Sequence, residues 1–93
     1  MFHETTFGSR ILKLRKQSGL SQRELGERIG LSHKAISTIE SGTRGTTIDK
    51  VVALAEHFRV STDYLLGLTD DPTWRGAADD AGNFQDRSEQ DAL

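Results

Sequence analysis

The stretch LSQRELGERIGLSHKAISTIESG, residues 20–42, holds two short amphipathic runs with almost nothing between them. In the first run Leu25 and Ile29 lie one helical turn apart, and in the second Ile36 and Ile39 share a face. Ser21 followed by Glu24 fits a capping box, in which the serine oxygen accepts one backbone N–H and the glutamate reaches back to another. A helix is therefore predicted from about Gln22, ending at Gly30. Ser32 can cap the next helix, which Gly42 closes. Helices of two or three turns are unstable alone, so the pair must share a core. The result is a tight elbow at Gly30 and Leu31, with Leu25, Ile29, Leu31, Ile36 and Ile39 turned inward.

The complementary face of the second of these helices carries Ser32, His33, Lys34, Ser37 and Thr38. Those side chains are short or medium, polar and mostly hydrogen-bond donors, as an element needs if its backbone is to lie close to base edges. The flanks supply the rest of a core. Phe7, Ile11 and Leu14 mark an earlier helix stopped at Gly19, on which Arg10, Lys13 and Lys16 read as the wet side and Leu12 as an exposed leucine. A threonine cap opens TIDKVVALAEHF, whose Ile48, Val51, Leu54, Ala55 and Phe58 form one stripe. STDYLLG gives a short capped helix with Tyr64, Leu65 and Leu66 open to core burial or to a dimer contact. Five helices and no alternating strand pattern make the expected fold all-α.

Charge divides the chain in two. Residues 1–69 hold ten Lys and Arg against seven Asp and Glu, net +3, whereas residues 70–93 hold two against seven, net −5. We expect a helical domain over 1–69 and an acidic tail over 70–93. The body is mildly basic, which permits nucleic-acid binding without demanding it. The tail contains the only proline and too little apolar surface to offset chain entropy, so it reads as largely disordered, with a marginal helix over 84–93 that could order against a partner protein. Trp74 and Phe84 are either idle tail residues or anchors for a partner subunit.

No apolar run approaches the roughly 20 residues of a membrane span, and the N-terminal MFHETTFGSR lacks the basic start and apolar centre of a signal peptide. With no cysteine there is neither disulfide nor thiolate metal site. A cytoplasmic setting is expected, with no metal, no cofactor and no membrane. The three histidines lie apart, and no nucleophile elbow, phosphate loop or HExxH pattern appears, so an enzyme is not expected.

The quoted stretch resembles the helix-turn-helix of the Xre and lambdoid phage repressor/Cro family: the glutamine opening the first helix, the glycine in the turn, the apolar positions after it and the IE.G ending all match. The resemblance continues through TIDKVVALAEHFRVSTDYLLGLTDD and covers about residues 7–71. It implies that Gln22 touches phosphate, that Ser32, His33, Lys34, Ser37 and Thr38 read bases, and that Arg44 lies in a loop approaching the DNA backbone. It also implies an ion pair between Arg15 and Glu40. Two positions depart from the family pattern. Gly26 replaces the usual alanine at the contact between the two helices, at a propensity cost of about 1 kcal/mol while allowing closer approach. Thr46 stands where proline is common, which leaves its loop less rigid.

By this resemblance the chain is expected to be a transcriptional regulator, a repressor more than an activator, that binds double-stranded DNA as a homodimer on a palindrome. No ligand-binding or self-cleaving domain is expected after the helices. The competing expectation is an antitoxin or adaptor whose main role is to bind another protein.

Overall fold

Side-chain capping signals open three of the five helices among the described residues. The computed structural model describes residues 2–74. Its helices are α1 (Glu4–Gln17), α2 (Gln22–Ile29), α3 (His33–Glu40), α4 (Ile48–Phe58) and α5 (Thr62–Leu66), and there is no strand among the described residues. The expected 84–93 helix and Phe84 lie outside the described residues.

Helix α1 starts at Glu4, before the first apolar position of its stripe, with the Glu4 carboxylate favourably placed in the first turn. At α2 the predicted capping box forms: Glu24 N donates to Ser21 Oγ over 3.0 Å and Ser21 N donates to Glu24 Oε1 over 2.8 Å. Ser32 and Ser61 cap α3 and α5 with one bond each, accepting from Ala35 N and Tyr64 N. Thr47 occupies the cap position of α4, but its hydroxyl donates to Asp49 Oδ1 at 2.5 Å and caps no backbone N–H.

Phe7, Ile11, Leu25, Ile36, Ile39, Leu54 and Leu65 are completely buried, and Ile29, Ala55 and Val60 nearly so. This single core draws on all five helices. Helix α1 lies so close to the end of α3 that a Cβ added at Gly8 would sit 2.2 Å from the Ile39 carbonyl oxygen. The same device closes the elbow. A Cβ at Gly26 would sit 2.2 Å from the Leu31 carbonyl oxygen, so the departure from alanine does permit a closer approach.

Four expectations are corrected. Ile48 is 82% exposed: the α4 stripe is buried at Leu54 and Ala55, half-buried at Val51, and runs out of neighbours at its first turn. Leu12 is half-buried, not exposed. Arg10 is not merely the wet side of α1. Its guanidinium lies 4.2 Å from the Tyr64 ring centroid, donates to the carbonyls of Tyr64 and of Thr69 (2.7 Å to the latter), and pairs with Asp70 at 2.8 Å. Trp74 is not idle either. It packs half-buried against the domain's own core, with the Arg59 guanidinium 5.9 Å from its ring, while Ser61 N donates to Pro72 O over 3.2 Å. The start of the acidic segment is thus fastened to the helical body through contacts distant in sequence, which composition alone does not register.

Candidate nucleic-acid interface

The elbow owes its sharpness to one carbonyl. Gly26 O accepts from both Gly30 N and Leu31 N, each at 2.8 Å, while Gly30 turns the chain at φ +80°. That conformation is open to glycine at little cost. Lys50 reaches across from α4 and donates from Nζ to Ile29 O over 3.0 Å, placing a cation at the carbonyl end of α2. Two residues after the turn Ser32 caps α3, so the helix begins at once, with His33 and Lys34 of its first turn exposed.

Ile36 and Ile39 anchor α3 in the core, which leaves its other side outward. Ser32, His33 and Lys34 are exposed there, and Ser37 and Thr38, one turn further on, are half-buried. The hydroxyls are already partly committed. Ser32 Oγ accepts the Ala35 N–H and keeps its own O–H free to donate, whereas Thr38 Oγ1 donates to Ala35 O over 3.0 Å and presents lone pairs and a methyl group.

Gln22 opens α2, half-buried, and its Nε2 donates to Glu40 Oε1 over 3.1 Å. The same carboxylate takes Arg15 Nε at 2.6 Å and Arg15 Nη2 at 3.0 Å, and Arg15 Nη1 donates to Leu20 O at 2.8 Å. The hydrogen bond from Arg15 to Glu40 pushes the guanidinium pKa above its ordinary value. The expected Arg15–Glu40 pair is therefore present, and it does more than expected: one carboxylate ties α1, the start of α2 and the end of α3 together. Arg44 stands exposed in the loop between α3 and α4. Among the described residues neither Lys34 nor Arg44 is in an ion pair, so both cations are available to an external anion.

The structure thus gathers Ser32, His33, Lys34, Ser37 and Thr38 on one side of α3, fixes Gln22 through Glu40, and holds Arg44 on the following loop. Sequence reading did not single out Lys50 or the Gln22–Glu40 bond, because neither is a periodic or short-range signal. No cluster of three or more potential metal ligands occurs among the described residues. No helix there is long and apolar enough to cross a membrane.

Residues 11–65 match the family described as Helix-turn-helix. The chain is 41% identical over 63 residues to the HTH-type transcriptional regulator YobD of Bacillus subtilis (strain 168), an alignment covering 68% of this chain and 56% of YobD. It is 36% identical over 64 residues to the HTH-type transcriptional regulator y4dJ of Sinorhizobium fredii (strain NBRC 101917 / NGR234), covering 69% of this chain and 83% of y4dJ. Among solved structures it is similar to the P22 c2 repressor in complex with a synthetic operator, with a TM-score of 0.62 and 35% identity over 64% of this chain and 91% of that one. The restriction-modification controller protein C.AhdI from Aeromonas hydrophila gives a TM-score of 0.61 and 29% identity, over 67% and 94% of the two chains.

The chain belongs to the helix-turn-helix family of DNA-binding transcriptional regulators, in its Xre and lambda repressor-type branch. That kinship points away from enzymatic activity. The chain spans about half the length of YobD and of the regulator ImmR, another relative from Bacillus subtilis.

Proposed function

We propose that this chain is a repressor that occupies a palindromic operator as a homodimer in the cytoplasm, with α3 in the major groove. One reading head touches few bases, so a second copy on a half-site about one helical turn away, ~34 Å, supplies the remaining specificity. Lys34 donates to guanine O6 or N7. Ser32 and His33 meet base edges beside it, Ser37 and Thr38 reach the neighbouring base or a thymine methyl, and Gln22 and Arg44 hold phosphates.

The observation that carries this reading is the outward polar side of α3, braced from behind by the carboxylate that joins α1, α2 and α3. The likeness to a repressor solved on operator DNA supports it. Selection of bound duplexes from a random library, with sedimentation of the protein alone and on DNA, is the test. A two-fold symmetric motif bound by two copies is the expected result. No enriched motif, together with tight capture of a protein co-expressed from the neighbouring gene, would favour an antitoxin or adaptor instead.

A further inference from the structure

The loop between α3 and α4 has little of its own to fix it. Gly42 N and Thr43 N bond back to Ile39 O and Thr38 O at 3.0 and 3.1 Å, and Thr43 Oγ1 lies 2.7 Å from Ser41 Oγ. Beyond them, among the described residues, no hydrogen bond holds residues 44–46, the part that carries Arg44. Thr46 also lacks the ring that would fix its backbone.

What lies against this loop is the start of the chain. A Cβ added at Gly45 would meet Phe2 Cε2 at 3.6 Å and Glu4 Cγ at 3.9 Å, and one added at Gly42 would meet Thr5 Cγ2 at 2.9 Å and Thr5 Cα at 3.1 Å. The Phe2 ring in turn sits 5.9 Å from that of Phe7, tilted by 60°, and Phe7 is completely buried. Phe2 therefore bridges the core and the Gly45 backbone, although 46% of it remains exposed. Its position before the first helix gave no periodic signal.

We propose that residues 2–5 brace the α3–α4 loop, and that Phe2 is thereby a positioning residue for the contact between Arg44 and the DNA backbone. The second half rests on the DNA-binding reading given above. A loop already held in place loses less freedom when Arg44 engages a phosphate, and affinity rises without any new contact. The contact carries no sequence, so the gain is the same for every operator. A proline at position 46 would restrict the same backbone without costing a hydrogen bond, since the Thr46 N–H has no partner among the described residues.

The test uses the full chain in two measurements. In the free protein, nitrogen-15 relaxation should show greater backbone motion at Arg44 and Gly45 in Phe2→Ala, and Thr46→Pro added to that variant should restore order. On duplex DNA, Phe2→Ala should weaken binding by about three- to tenfold for all sequences, the scale of immobilising one long side chain. The loss should be reversed by Thr46→Pro and should vanish in an Arg44→Ala background. Phe2→Leu, which retains an apolar contact with Phe7, should show the same effects in smaller degree if Phe2→Ala does not fold. Unchanged loop order in Phe2→Ala overturns the brace. A binding loss that persists without Arg44, or a changed sequence preference, overturns the positioning role. If the wild-type chain binds no DNA, the functional reading fails and takes the positioning role with it, while the relaxation comparison still decides the brace.

Discussion

Replacing Arg15 by methionine would keep most of the side chain's bulk and remove its charge from behind the proposed reading helix. The Glu40 side chain is 4% exposed and that of Arg15 11%, so water screens neither well. Arg15→Met deletes both N–H bonds to the carboxylate and leaves Gln22 Nε2 as its remaining side-chain donor. The Leu20 carbonyl loses the Arg15 donor as well. Breaking one side of a buried ion pair costs about 3–5 kcal/mol, chiefly because the other charge stays behind. Each kcal/mol moves the melting temperature of a 60–100-residue domain by about 4–8 °C, so a fall of at least ~12 °C is expected. Arg15→Met/Glu40→Gln should recover part of that loss, because an uncharged amide can be buried beside Gln22 more cheaply than a lone carboxylate. Urea and thermal unfolding followed by circular dichroism measure both. A single variant within about 1 kcal/mol of wild type, or a double variant less stable than the single one, would refute the reasoning.

Gly8→Ala forces a methyl group against the Ile39 and Glu40 carbonyls, at 2.2 and 2.9 Å, and should destabilise by about 1–3 kcal/mol as other overpacked sites do; wild-type stability would show that α1 yields without strain. Burial and, to a smaller degree, the Arg28 charge hold His57 below its ordinary value, so the folded state binds fewer protons there than the unfolded state. That contribution is complete above the unfolded value of about 6.5 and is lost as pH falls through the lower folded value. Unfolding titrations of His57→Gln should therefore decline less steeply below pH ~6.5 than wild type. Affinity for DNA should fall with salt at a log-log slope of about 0.9 per neutralised phosphate, and Arg44→Ala should lower that slope by about one contact.

Much of this architecture is legible in the sequence because helix ends are local events. Ser21 with Glu24, Ser32 and Ser61 cap within three residues of themselves, and Gly19, Gly30, Gly42 and Gly67 take the left-handed backbone that terminates helices. Periodicity located Phe7, Ile11, Leu25, Ile36, Ile39 and Leu54 in the core for the same reason. It failed at Ile48, where the stripe begins one turn before α4 reaches its packing partners. Arg10 was illegible as a clamp because its acceptors, Tyr64, Thr69 and Asp70, lie more than fifty residues away. The Arg15–Glu40 pair came from the family resemblance; the added bond from Gln22 did not, since nothing in a one-dimensional pattern puts the first residue of α2 beside the last of α3. The polar residues of α3 were visible as a group, while the separate commitments of the Ser32 and Thr38 hydroxyls required the structure.

In the proposed binding mode α3 reads sequence, while Arg44 holds only the DNA backbone. The most direct measurement compares wild type, Lys34→Ala, Ser37→Ala and Arg44→Ala in selections on a randomised operator. Loss of a good base contact costs about 1–3 kcal/mol of discrimination, so the α3 variants should change the preferred base at one or two positions of each half-site. Arg44→Ala should return the wild-type motif with uniformly weaker binding. A motif shifted by Arg44→Ala and left intact by Lys34→Ala and Ser37→Ala would contradict the account and move the reading head off α3.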